Sequence, residues 1–491
     1  SFRNLKPTFH AFEHYYGPYR WPRVGYAVST VGAMEHATSI HYPRSLVDGT
    51  LQGESIMAHE LAHHWFGNLV TCASDDDMWI NEGMAEYSSH LYEEQVYGRS
   101  TYENTVRDNA WNVLQDAHRR DNGYRPLYNP PHQYVYGYTV YQKGAMVGHN
   151  LRHYLGDSLF FGSLRQVFRD HAYANLSTAE FRDEMIRISG KASLSEFWDQ
   201  WIYKPGFPQF SVREWDYTAL TGRVDLTLEQ RLYEAPDFYQ QVPVQVSFFG
   251  PQGQRETRVF QHSDTLSKHL GILMPFEPQA VLASYGPGLL TATGMDHLHF
   301  QDSLAQKGTY TELTVEPQIF RDTGSVILME HLVGARKQAS SPFDFHLGDL
   351  HYFTIQPLDF QNSELKLQLP FDGTTNGWDR DLLSSGNDSL VVLHRADGSQ
   401  QWNIYPHQAK VTASPNSRRG LFEIGQVEAG DYCLANTAES ISLESYVPRD
   451  SVELYPQPAE EQLLVEWPKP GADLHYRLVD IQGKEVRQGR I

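Results

Sequence analysis

Two periodicities divide the chain. Between about residues 53 and 208 the apolar positions recur at helical spacing; beyond 208 they alternate with polar ones. The spacing predicts helices over 55–66, ended by Gly67, over 81–97, closed by Gly98, and over 139–155, ended by Gly156. Ser177-Thr178-Ala179-Glu180 and Ser193-Leu194-Ser195-Glu196 have the form of capping boxes and announce two more helices. Lys204-Pro205-Gly206-Phe207-Pro208 ends this part, because two prolines and a glycine cannot continue a helix. Ahead of it, residues 1–50 read as strand and loop, with a short apolar run at 24–31 leading into Gly32-Ala33-Met34-Glu35-His36.

After 208, Val224, Leu226 and Leu228 alternate with polar residues, as do Val242, Val244 and Val246. A second β-rich stretch starts near 309, with Leu365, Leu367 and Leu369 on one face and Asp372-Gly373 and Asp397-Gly398 as turns. Short strands at this spacing imply sandwiches; His346 and His351 read there as exposed loop residues. The expected organisation is multidomain α+β: a mainly helical unit over 1–208, a β-sandwich over 209–308, a second β-rich unit over 309–447, and a distinct tail over 448–491.

The 491 residues leave room for about three domains. A net charge of −20 argues against nucleic acid, which needs a concentrated basic surface. No run of eighteen apolar residues occurs, so no transmembrane helix is expected. Cys72 and Cys433 are the only cysteines, which excludes a disulfide scaffold. The chain opens Ser1-Phe2-Arg3-Asn4, without Met or signal peptide, and reads as processed or as a fragment.

The candidate chemistry lies in the first two helical segments. His59-Glu60-Leu61-Ala62-His63, then Asn81-Glu82-Gly83, forms the pattern HExxH-x18-E. Positions four apart share a helix face, so His59 and His63 can hold one ion between them. Two imidazoles and the Glu82 carboxylate make a catalytic zinc set with a fourth position open for water, whose pKa zinc lowers to about 7. Glu60, turned part of the way towards the site, can take that water's proton. Glu86, one turn beyond Glu82, can accept the outer N–H of a ligand histidine.

His59-Glu60-Leu61-Ala62-His63-His64-Trp65-Phe66-Gly67-Asn68 with Trp79-Ile80-Asn81-Glu82-Gly83-Met84-Ala85-Glu86-Tyr87 resembles the M1 family of zinc aminopeptidases. Gly32-Ala33-Met34-Glu35-His36 resembles that family's GAMEN segment, with His36 in place of the usual Asn. Tyr141-Gln142-Lys143-Gly144-Ala145 resembles its Y-x-KG segment, and Trp201 with Pro205-Gly206-Phe207-Pro208 resembles the end of its catalytic region. The resemblance covers 1–208 and implies a thermolysin-like zinc-peptidase domain with one Zn2+ per chain. It implies that Glu35 binds the substrate's free α-amine and that Tyr141 donates a hydrogen bond to the developing oxyanion. Tyr136 and Tyr138 are near neighbours, and Lys143-Gly144 at the family spacing selects Tyr141. Because His36 can change charge near neutral pH, the resemblance leaves its effect on the pH profile open. Members of the family carry a β-rich domain ahead of the catalytic one, so the chain is expected to be an N-terminally truncated fragment.

Val452-Glu453-Leu454-Tyr455-Pro456-Gln457-Pro458-Ala459, with Tyr476-Arg477-Leu478-Val479-Asp480 and Gly483-Lys484, is similar to the C-terminal sorting domain of type IX secretion substrates. That implies the type IX machinery as a partner and a location outside a Gram-negative cell, released or held at its surface. The expected function is removal of N-terminal residues from peptides with a free N-terminus. The alternatives are a zinc endopeptidase, and a silent peptidase whose β-domains bind a surface.

Overall fold

The computed structural model describes residues 1–437 except 321–322, 337–344, 361–363, 384–389 and 414–416; beyond 437 it describes 453–455, 464–466, 475–479 and 485–490. Most of the expected sorting segment, including Pro456-Gln457-Pro458, lies outside the described residues.

The first fifty residues are not all strand and loop. Leu5–Tyr16 is a helix, α1, whose residues Thr8, Ala11, Phe12 and Tyr16 are buried. Leu5, Phe9, Phe12 and Tyr16 recur in it at helical spacing, so the period was present in the sequence. A parallel strand pair follows, β1 (Tyr26–Ser29) and β2 (Ile40–Pro43).

Helix α2 (Glu54–Ala62) stops four residues short of the expected end, although the turn that follows keeps His63 bonded back to His59. Short β3 (Val70–Cys72) leads to α3 (Glu82–Tyr97), which Gly98 ends in a positive-φ conformation. Helix α4 (Arg99–Asn112) was not anticipated; its polar composition carries little apolar signal. After a single turn, α5 (His118–Arg120), comes a π-helical turn over Thr139–Lys143, then α6 (Gly144–Asp170). Gly156 does not end that stretch but kinks it, with φ 72° and ψ 160°. Strand β4 (Ala174–Leu176) pairs with β3. The Ser177 capping box forms in full at α7 (Thr178–Ser189), whereas Ser193 makes no side-chain cap at α8 (Leu194–Trp201). Trp65, Trp79, Trp198, Trp201 and Tyr87 fill the core between these helices.

The alternating segments form strands as expected. β5 (Phe207–Thr218), β6 (Arg223–Tyr233), β7 (Val242–Phe249), β8 (Arg255–His262), β9 (Leu266–Leu273) and β10 (Ala280–Ala283) make two three-stranded sheets, β5-β6-β9 and β10-β7-β8. Val224, Leu226, Leu228, Val242, Val244 and Val246 are all buried, in a core continuous with that of the helices.

β11 (Thr293–Phe300) pairs antiparallel with a strand of the next unit, Gly324–His331, and so joins that unit's sheet. That unit holds a seven-stranded sheet facing a five-stranded one. Leu365, Leu367 and Leu369 lie in the core between them, beside Val326, Leu328, Phe353 and Ile355. His351 is not an exposed loop residue. It is buried between Glu330 and Asp379, at 2.7 and 3.0 Å, and these carboxylates outweigh the opposing effect of burial and raise its pKa to about 10. His346 is exposed, as expected, but it lies in a strand, Phe345–Leu347, and not in a loop. Among the described residues no helix is long and apolar enough to cross a membrane.

Candidate metal centre

Helices α2 and α3 and the π-helical turn converge on one point. His59 and His63 lie one turn apart, and their Nε2 atoms are 3.0 Å from each other. Oε2 of Glu82, the first residue of α3, is 3.4 Å from His59 Nε2 and 3.2 Å from His63 Nε2. All three residues are buried. A tetrahedral ion with bonds of about 2.0–2.1 Å spaces its donors by about 3.3 Å, the size of this triangle.

The outer nitrogens are committed elsewhere. His59 Nδ1 lies 3.0 Å from Glu86 Oε2, and His63 Nδ1 lies 2.8 Å from the Phe66 carbonyl oxygen. With Nδ1–H donated outward, both Nε2 lone pairs face inward towards a carboxylate oxygen. Three acceptors in this arrangement repel unless a cation lies among them, so the donor set fits a metal ion.

The electrostatics agree. Burial opposes charge on His59, yet Glu82 and Glu86 outweigh it and raise the pKa to about 10. Burial likewise opposes ionisation of Glu86, but its bond to His59 takes the carboxyl down to about 2. Glu82 is also held well below the usual carboxylate range: His63 and His59 overcome the effect of burial. The pocket is built to carry positive charge.

Glu60 behaves differently. Burial pushes its carboxyl up to about 7, against the lowering influence of His63 and His59, and its buried Oε2 has no hydrogen-bond partner. A carboxylate with a free oxygen and a pKa near neutral suits proton transfer.

Tyr141 stacks on His59, with ring centroids 5.9 Å apart and 12° between planes. Burial, reinforced by Glu82, keeps its phenol protonated well past neutral pH. Its neighbours sit differently. Tyr138 lies under the Arg120 guanidinium, and Tyr136 is 67% exposed. Glu35 is half-buried and contributes negative potential at Glu60 and His63. Asn68 holds that segment by donating to the Glu35 carbonyl at 2.7 Å, and Met34 bridges to His41. Gly32, Met34 and His36 lie on its exposed side and Ala33 is half-buried; the His36 ring packs edge-on against His41 at 4.6 Å. Half-buried Cys72 does not join the group of His59, His63 and Glu82, and burial pushes its thiol up to about 11.

Several positioning residues were not read from the sequence. Gln142 donates to Glu86 Oε1 at 3.2 Å, tying the turn that bears Tyr141 to the carboxylate that orients His59. Buried Asp121 accepts the amides of Tyr138 and Thr139, at 3.0 and 2.5 Å, and so caps that turn. The Asn81 side chain bonds Cys72 N and Thr71 Oγ1, pinning β3 to the start of α3. None of these has a spacing signal, and Phe66 acts through a backbone atom.

Gly83 and Gly144 bring α3 and α6 together. A Cβ on Gly83 would lie 2.8 Å from Gly144 Cα and 2.9 Å from the Val140 carbonyl oxygen. Gly83→Ala is expected to cost about 1–3 kcal/mol by overpacking, read by denaturant unfolding. Glu86→Gln, which weakens the acceptor on His59, is expected to lower zinc affinity about 10–100-fold in a competitive chelator titration.

Residues 1–201 match the Peptidase family M1 domain. Aminopeptidase N of Lactococcus lactis subsp. lactis is 28% identical over 233 residues, covering 42% of this chain and 26% of the relative. The probable M1 family aminopeptidase 1 of Encephalitozoon cuniculi is 26% identical over 285 residues, 53% of this chain and 32% of the relative. An M1 zinc metallopeptidase from Deinococcus radiodurans, solved with a Tyr-Ser-Ala substrate, aligns with 24% identity and a TM-score of 0.36, covering 41% of this chain and 44% of that one. The chain thus spans about a quarter to a third of the length of the curated relatives it matches. The matched segment contains the triangle of His59, His63 and Glu82 together with Glu60, Glu35 and Tyr141.

Proposed function

We propose that this chain is a zinc-dependent aminopeptidase, with a thermolysin-like catalytic unit in its helical part. The observation that carries the reading is the buried triangle of His59 Nε2, His63 Nε2 and Glu82 Oε2, with Glu60 Oε2 left free beside it. These three residues would hold the ion, which supplies Lewis acidity, acidifying water to a pKa of about 7 and polarising a carbonyl.

The chain's own groups do the rest. Glu60 takes the proton of the attacking water on its free oxygen and returns it to the leaving amine. Tyr141 keeps its phenolic proton and donates a hydrogen bond through it to the oxyanion as charge develops, an interaction worth about 3 kcal/mol in the transition state. Glu35 sets the register: an ammonium held by its carboxylate places the first peptide bond, and no later one, at the reacting centre. Aminopeptidases among the relatives support this choice over an endopeptidase.

Glu35→Ala tests it. Release of the first residue from aminoacyl chromogenic substrates should fall by about 10²-fold or more with loss of the charge-assisted contact, while N-acetylated peptides, which lack the ammonium, should be unaffected. Equal loss on both substrate sets would favour the endopeptidase reading. Wild type cleaving neither set with one zinc bound would favour a silent, surface-binding protein.

The tail is read, on its sequence alone, as a type IX sorting segment that takes the protein outside a Gram-negative cell. Retention of the intact chain in the periplasm of a type IX-competent host would overturn that reading.

A further inference from the structure

A cavity of about 550 Å³ opens where α4 and α6 meet β7, β8 and β11, and it shares no residue with the metal centre. Basic side chains dominate its lining, in a chain whose net charge is −20.

Most of the charges there are already balanced. Arg152 is paired with Glu94 at 2.6 Å and Asp157 at 2.7 Å, and Arg99 with Glu94 at 2.8 Å and Glu103 at 2.9 Å. Burial lowers the pKa of both His149 and His153 and so favours their neutral forms, and their Nε2 atoms face the carbonyls of Pro287 and Pro243 at 2.8 and 3.0 Å.

Arg107 and Arg255 are the exceptions. Among the described residues neither guanidinium has a carboxylate partner within ion-pairing distance. Arg107 Nε is buried without any hydrogen-bond partner, its head group 6.0 Å from the Tyr310 ring centre. The Arg255 head group lies 5.4 Å from the ring centre of Tyr285. The two come from α4 and β8, yet both are close enough to His297 to add to the lowering of its pKa, in which burial is the larger cause. Ser247 and Thr257, bonded to each other at 3.0 Å, line the same space and leave one neutral hydroxyl hydrogen to donate.

Two guanidiniums without counter-ions at one cavity form a receptor for an oxyanion, which Arg can grip with two parallel N–H bonds. The volume lies in the range of small-ligand sites. We propose that this cavity binds a small ligand headed by a phosphate or carboxylate group, held by Arg107 and Arg255. Such a ligand bridges α4 of the helical part to β8 of the β-region and ties the two together.

The test is calorimetric titration of the whole zinc-loaded chain with inorganic phosphate and, separately, succinate, at constant ionic strength with chloride as the control. Saturable binding of either anion, weakened tenfold or more in an Arg107→Gln/Arg255→Gln double variant, is the expected result. Phosphate binding alone identifies a phosphoryl ligand and succinate binding alone a carboxylate. Peptidase activity and the unfolding midpoint in chloride should match wild type in the variant, because neither residue touches the metal centre or pairs with another charge. No saturable binding by wild type, or equal binding by the double variant, overturns the proposal; the latter assigns the anion to the zinc.

Discussion

Glu60→Gln is expected to lower kcat/KM on aminoacyl chromogenic substrates by about 10²–10⁴-fold, the contribution of a positioned general base, and to leave zinc content unchanged. The amide has nearly the shape of the carboxylate, so the fold around α2 has no reason to move. What is lost is the capacity to accept and return a proton at a buried oxygen that no neighbour occupies. Burial brings the carboxyl to about 7, high enough to hold a proton between the two halves of the reaction yet low enough to be a base at neutral pH. Steady-state kinetics with metal analysis on the same samples checks both parts. Full activity in the variant would remove Glu60 from the mechanism and reassign proton transfer.

Glu82→Gln is expected to weaken zinc binding about 10³-fold. A protein zinc site holds its ion with about 10–16 kcal/mol, so one ligand of a small set accounts for about 4 kcal/mol. The neutral amide also removes the charge that favours positive charge on both histidines. A pH dependence follows. In the metal-free protein the pKa of His59 is raised to about 10, so at neutral pH metal uptake must displace its proton. Apparent zinc affinity should therefore rise with pH from 6 towards 10 and release protons on binding. The variant, with the pKa of His59 closer to its ordinary value, should show a shallower slope. Chelator competition at several pH values, with proton release read by buffer-dependent calorimetry, distinguishes the two; a slope as steep in the variant as in wild type would mean that Glu82 does not set the charge of the site.

Legibility differed between elements for physical reasons. Val242, Val244 and Val246 were readable as a strand because apolar residues at every second position set a period of two, although the folded strand is buried on both faces. Helix α1 was not, although Leu5, Phe9, Phe12 and Tyr16 recur there at helical spacing. Ser177 and Ser193 present the same four-residue pattern, yet only Ser177 is extended, as a side-chain cap requires; Ser193 already has helical angles. The sheet that β11 joins was not legible, because β11 is a strand whichever sheet it enters. Only its partner, far along the chain, decides which sheet it joins.

At the metal centre, sequence by itself determined the donor types and one distance: His59 and His63 are neighbours because four residues make about one helical turn. It determined Glu86 as a partner in the same way, one turn beyond Glu82. Tertiary structure decided everything that joins separate elements. Glu82 reaches the histidines because Gly83 and Gly144 let α3 and α6 cross without side chains between them. Tyr141 faces His59 because a π-helical turn, capped by Asp121 and tied to Glu86 through Gln142, sets its direction. The lone pairs of His59 and His63 point inward because a carboxylate and a backbone carbonyl occupy their other nitrogens. Spacing along a helix is a local property, fixed by 3.6 residues per turn; approach between helices depends on what both surfaces lack at the crossing, which no single stretch of sequence contains.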